Sequence, residues 1–176
     1  NAYDGSTVIA DVESIEVTAG ERAYGAVAEA YSEIDLLMAG DMVVTSTGTG
    51  EAVGIGAMTS GDITVDGLAN LAVKATDGRA MGIGAQDDSI ANVTMTGGIN
   101  VATVSGDAYG AVAQLDSGID LLMSGDMTVT SSGTGEAIGI GAQTNSEVKV
   151  EGLTGLTVKA AGGRAIGIGA HDASSA

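Results

Sequence analysis

Six charged residues stand at one recurring place in this chain: Arg22, Glu51, Arg79, Asp107, Glu136 and Arg164, each directly before an alanine. Arginine alternating with carboxylate is the material of ion pairs. If the six share a column, the signs oppose at every step except Asp107 to Glu136. Half of the six basic residues are used there. We read the set as a surface charge ladder that fixes the register of stacked turns, in preference to substrate binding by its arginines; each exposed pair contributes about 0.2–1 kcal/mol.

The other chemistry-bearing residues are scattered. His171, the single histidine, stands beside Asp172 and cannot assemble a histidine-based metal site alone. The acidic stretches Asp87-Asp88, Asp116, Glu29 with Glu33, and Asp62 offer hard oxygen ligands. Their spacing matches neither an EF-hand loop nor a GGxGxD calcium repeat, so calcium binding there is expected to be weak and no cofactor is implied. Gly54, Gly56, Gly82 and Gly84 have the look of a dinucleotide loop, but no helical apolar pattern follows them. Asn92-Val93-Thr94 fits a glycosylation pattern that is often a chance match. Thr45-Ser46-Thr47 and Thr130-Ser131-Ser132 suggest the threonine ladders of ice-binding solenoids, yet the column through Thr45 continues to Lys74 and Ala102. Catalytic residues are expected to be none.

What positions these residues is a period. The phrases RAYGAVA, EAVGIGA, RAMGIGA, DAYGAVA, EAIGIGA and RAIGIGA place alanines at 23, 52, 80, 108, 137 and 165, at intervals of 29, 28, 28, 29 and 28 residues. So constant an interval is the mark of stacked repeats. Within each unit the phrase is one strand, a segment such as EIDLLM (33–38) or DITVDG (62–67) a second, and MVVTST (42–47) or LAVKAT (71–76) a third. All alternate or run apolar between corners rich in Gly, Asp and Ser. Three strands per turn is the plan of an all-β parallel β-helix with about six turns. One domain is expected over 1–176: a duplicated 85-residue block of three turns, 22–106 and 107–176, after a partial turn at 1–21. By the same offset Ala176 falls where Ala91 stands, so the end of one copy roughly leads to the start of another. The chain is then a window of a longer array or a unit that stacks head to tail.

Composition agrees. Of 176 residues, 29 are Gly, none is Pro, Phe or Trp, and four are Tyr, so the core must be thin and its strands closely stacked. A net charge of −17 repels nucleic acid and anionic lipid. The absence of cysteine rules out disulfides, and no apolar run is long enough to cross a membrane. Asn1 begins no signal-like segment, as expected of a mature, processed or excised chain.

In the repeated phrase both strand faces are apolar. Tyr24, Val53, Met81, Tyr109, Ile138 and Ile166 are expected to face inward as a packing column, leaving a flat Ala/Gly strip outside. Where Tyr24 and Tyr109 stand, Ala26 and Ala111 replace isoleucine and Val27 and Val112 replace glycine, an exchange that reads as volume compensation.

The stretches GDMVVTSTGTGEAVGIGA and GDMTVTSSGTGEAIGIGA resemble the repeat regions of bacterial surface and secreted β-solenoid proteins: autotransporter-like passenger domains and filamentous-haemagglutinin-like adhesins. The resemblance implies a right-handed parallel β-helix, extracellular or at the cell surface, serving as stalk, adhesin or fibre. It supplies no catalytic residues. The expected function is therefore a non-enzymatic, self-associating solenoid whose partners are copies of itself. The alternatives are a ligand-binding adhesin face, a β-helix polysaccharide lyase or hydrolase, and an ice-binding solenoid.

Overall fold

In a computed structural model, which describes residues 1–176, every regular element is a β-strand. The first two turns are β1 (Thr7–Val12), β2 (Ile15–Ala19), β3 (Ala23–Glu29), β4 (Glu33–Met38), β5 (Met42–Ser46) and β6 (Ala52–Met58). The next two are β7 (Asp62–Leu68), β8 (Leu71–Ala75), β9 (Ala80–Gln86), β10 (Ile90–Met95), β11 (Ile99–Thr103) and β12 (Ala108–Gln114). The last two are β13 (Gly118–Leu122), β14 (Asp126–Ser131), β15 (Ala137–Gln143), β16 (Glu147–Glu151), β17 (Gly155–Ala160) and β18 (Ala165–His171). Each strand pairs in parallel with the strand three before it and the strand three after it, giving three sheets of six strands around one core. Ala52 and Ala80 are direct partners, so the period of the sequence is a spatial one.

The first sheet (β1, β4, β7, β10, β13, β16) and the second (β2, β5, β8, β11, β14, β17) follow the period of two. In β4, Ile34, Leu36 and Met38 point inward while Glu33, Asp35 and Leu37 face solvent. Val44, Val73, Val101 and Val129 form one inward column of the second sheet, fully buried. Stacked β-branched residues suit this geometry because each methyl pair packs at the spacing of adjacent strands, about 4.8 Å.

The third sheet (β3, β6, β9, β12, β15, β18) departs from simple alternation, and here the expected packing column is corrected. Ala52 and Ile55 belong to the main core, whereas Val53 clusters with Val27 and Met81, and with Tyr24 and Tyr109, on the opposite face. The pairing steps over Gly25, Gly54, Gly82, Gly110 and Gly139, where the strand bends and two successive positions turn inward. A β-carbon at Gly54 would run into Leu71 and Val73 of the second sheet. That corner admits only Ala and Gly, so Tyr24, Val53, Met81, Tyr109, Ile138 and Ile166 are on the outer face. They escape water by lying over the next glycine: Met81 covers Gly84, and Ile138 covers Gly141. The size exchange in the first and fourth turns is consequently split between faces, Ala26 inward and Val27 outward.

Two features of the corners are absent from the expectations above. After every third-sheet strand, and at the corresponding place before β1, two consecutive residues take the left-handed conformation: Asp4-Gly5, Ala30-Tyr31, Thr59-Ser60, Asp87-Asp88, Leu115-Asp116, Thr144-Asn145 and Asp172-Ala173. For residues other than Gly, Asn and Asp this costs about 1 kcal/mol each. Ala30→Gly is expected to stabilise the fold by about 1 kcal/mol, since Ala30 has φ 58°, and raise the thermal midpoint by roughly 2–4 °C in calorimetry.

The following residue is a buried serine in most turns. Its hydroxyl accepts the backbone N–H of the turn before: Ser6 to Ser32 (3.3 Å), Gly61 to Ser89 (3.1 Å), Ser89 to Ser117 (3.1 Å), Ser117 to Ser146 (3.2 Å) and Ser146 to Ser174 (3.1 Å). Gly61 interrupts this ladder, because a β-carbon there would overlap the Ala28 carbonyl. Ser117→Ala strands the buried N–H of Ser89 and is expected to cost about 1–3 kcal/mol, read as a lower midpoint in denaturant.

Candidate functional site

The charged ladder and the outer column of the third sheet meet along one corner. Backbone pairing of Ala23 to Glu51, Ala52 to Arg79, Ala80 to Asp107, Ala108 to Glu136 and Ala137 to Arg164 runs through the ladder, so its six residues are stacked one per turn. Two ion pairs form, Arg79 to Glu51 at 2.6 Å and Arg164 to Glu136 at 3.1 Å. Asp107 instead accepts the backbone N–H of Glu136 at 2.8 Å through one carboxylate oxygen, which ties down the one step where like charges adjoin.

Each ion pair is joined by a tyrosine hydroxyl. Tyr24 donates to Glu51 Oε1 at 2.7 Å, while Tyr109 lies 3.3 Å from both Asp107 and Glu136. The duplication thus yields two Tyr–Glu–Arg clusters, Tyr24–Glu51–Arg79 and Tyr109–Glu136–Arg164. The tyrosine bonds were outside the sequence reading. The signal for them is that each Tyr stands one turn before a Glu of the ladder, within reach of a neighbouring strand.

The electrostatics of these clusters favour a neutral phenol beside an ionised carboxylate. Burial, then the hydrogen bond to Glu51 and its charge, push the Tyr24 hydroxyl up to about 12. Burial and the charges of Asp107 and Glu136 raise Tyr109 as well. At Glu51 burial opposes ionisation, but the Tyr24 hydrogen bond, Arg79 and the charge of Arg22 outweigh it and hold the carboxyl below its ordinary value. Because the folded state depresses Glu51, its contribution to stability is present above the ordinary carboxylate value and is lost as pH falls through the lower folded one. Glu51→Gln is expected to lower the thermal midpoint at pH 7, with the gap to the parent chain narrowing below about pH 4. Tyr24 works oppositely: its neutral form stabilises the fold below about pH 10, and this is lost as pH rises toward 12.

Between the outer column and the strand ends lie two shallow depressions. One is bounded by Arg79, Met81, Tyr109, Met58 and Gln86 over Gly84. The other is bounded by Arg164, Ile166, Ile138, Gln143 and His171 over Gly169. Each has an apolar floor and one arginine wall. In both, the arginine is bound to its glutamate.

Of the remaining candidates, His171 and Asp172 line the second depression beside Arg164, and the others stay apart. His171 Nδ1 is 2.8 Å from Asp172, fully at the surface. Asp116 accepts from Asn145 at 3.2 Å, and Asp87 from Gln86 at 3.3 Å. No three His, Cys, Asp or Glu side chains converge as metal ligands do. Thr45 pairs with Lys74 and Lys74 with Ala102, so the threonine column is interrupted as read. Lys149 contacts Glu151 at 2.7 Å, and Lys74 and Lys159 stand on the second sheet. No helix is long and apolar enough to cross a membrane. Comparison with protein-family models, with curated proteins and with solved structures gives no match.

Proposed function

We propose that the protein is a non-enzymatic structural element: a β-solenoid subunit or segment of an extracellular filament, stalk or adhesin that associates head to tail with copies of itself. The observation that carries this reading is the state of the core at the two ends of the coil. Ile55 and Ile83 are fully buried and Ile140 is 3% exposed, but Ile168, in the same column, is 61% exposed. Leu156 and Val158 in β17, and Ile15 and Val17 in β2, are likewise only half-buried. The strands at both ends also present unpaired backbone along most of their length, the raw material of strand addition. Stacking buries both. The repeat style of surface adhesins supports the extracellular location.

Sedimentation and negative-stain microscopy over rising concentration in about 0.15 M salt test the reading; end-on rods longer than one chain are expected. Strictly monomeric particles at every concentration would overturn it. Self-repulsion from the charge of −17 should make assembly stronger as salt rises.

A second reading, an adhesin face, is favoured by the outer surface of the first sheet. Ile9, Leu37, Ile90 and Leu122 are exposed there among Glu33, Asp35, Asp62, Asp66 and Asp120. A ligand fitting that surface is basic and partly apolar. Protein and glycan arrays would identify it, with binding lost in Leu37→Ser/Leu122→Ser.

A further inference from the structure

We propose that the junction between two stacked copies reproduces the contact between the third and fourth turns inside the chain, and that residues 1–6 and Ser175–Ala176 compete with it for the two end strands. This rests on the head-to-tail reading above and specifies its register. The third turn is β7–β8–β9 and the fourth β10–β11–β12. Eighty-five residues on, β18 (AIGIGAH) answers β9 (AMGIGAQ), and β3 (AYGAVAE) answers β12 (AYGAVAQ).

The internal contact pairs Met81 with Tyr109, Ile83 with Ala111 and Gly84 with Val112. Stacking β18 on β3 of a second copy pairs Ile166 with Tyr24, Ile168 with Ala26 and Gly169 with Val27. The same steric exchange is made, large outward residue against tyrosine and glycine against valine. The columns agree on the second sheet too: Val158 stands in line with Val129 and Val17 with Val44, so the valine stack runs on from one copy to the next. The isoleucine left bare at the end of the coil meets the small alanine that its column uses after Ile83. Nothing in the first or third sheet needs to shift register.

One pairing is unfavourable. Arg164 comes against Arg22, where the internal contact has Arg79 against Asp107, and only Glu136 and Glu51 on either side offset the two positive charges. A second cost is steric. Ala2 bridges Ala28 along the open edge of β3, and Ser175 bridges Glu147. In the stacked pair the first of these places belongs to Ala170 of the other copy and the second to Thr7. Residues 1–6 of one copy and Ser175–Ala176 of the other must therefore leave their positions, breaking bonds such as Gly5 N–H to the Ala30 carbonyl (2.9 Å) and Val148 N–H to the Ser175 carbonyl (2.9 Å). These segments act as self-caps.

The chain has no cysteine, so paired cysteines report the register cleanly. Glu16 and Thr157 are exposed on the second sheet, five turns apart within one chain, about 24 Å at 4.8 Å per turn. Across the proposed junction they are neighbours. Glu16→Cys/Thr157→Cys is expected to give a ladder of covalent multimers under oxidation, and Asp11→Cys/Thr157→Cys, on different sheets, none. A chain trimmed to residues 7–174 is expected to assemble at about tenfold lower concentration than the parent chain, since the capping bonds no longer have to break. If rods form in microscopy but the first pair fails to link, or the second links as well, the register is wrong while the structural function stands. If rods form and trimming leaves the concentration dependence unchanged, the self-cap is wrong. If neither chain associates at any concentration, both readings fall.

Discussion

Gly82→Val is expected to lower the thermal midpoint by roughly 6–12 °C, corresponding to about 3 kcal/mol, while Gly118→Ala leaves it within about 2 °C. The two glycines differ in what surrounds them. A β-carbon on Gly82 would overlap the carbonyl oxygen of Gly110 and press on Val101 and Ile99, all inside the corner where the third sheet approaches the second. A backbone carbonyl cannot yield without undoing the parallel pairing to the next turn. Around Gly118 there is open space. Scanning calorimetry of both variants decides the matter: equal midpoints would mean that the sheets are not in the close contact described.

The second large effect depends on position along the coil. Ile83→Ala empties a fully buried site and is expected to cost about 2–5 kcal/mol. Ile168→Ala, in the same column and chemically identical, should cost under about 1 kcal/mol in the isolated chain because water already reaches that side chain. Under the proposed stacking the second substitution becomes expensive in a different measurement, raising the concentration needed for assembly. Denaturant titration at low concentration, followed by sedimentation at high concentration, separates the two.

The period carried most of the architecture because parallel stacking turns sequence distance directly into register. Ala52 on Ala80, Thr45 on Lys74 and the ladder from Arg22 to Arg164 could all be aligned before any coordinates. Which face of the AxGxGA phrase is buried could not be read so, since both faces are apolar. The deciding factor, the approach of Leu71 and Val73 to Gly54, is a contact between sheets and leaves no periodic trace. The bend at that glycine also breaks the alternation along the strand, so that Gly54 and Ile55 both turn inward. The serine ladder was legible in principle, with Ser89, Ser117 and Ser146 recurring at the repeat interval. The left-handed pairs were not, because Ala30-Tyr31 and Leu115-Asp116 are unlike the glycine and asparagine such conformations ordinarily select. Of the two Tyr–Glu–Arg clusters, the glutamate and arginine were expected together, and the tyrosine joined them only once its column was found outside.

Each turn of the coil makes nearly all its contacts with the turn before it and the turn after it, apart from a few between a third-sheet strand and the first-sheet strand of the turn beyond. Opening is therefore a matter of fraying, one layer at a time from either extremity, with no single event that loosens the whole. Amide protons of β9 and β12, the middle layers of the third sheet, should be the slowest to exchange with deuterium, and those of β3 and β18 the fastest. A chain that lengthens by adding copies would carry this protection outward, so that every former extremity acquires the lifetime of an interior.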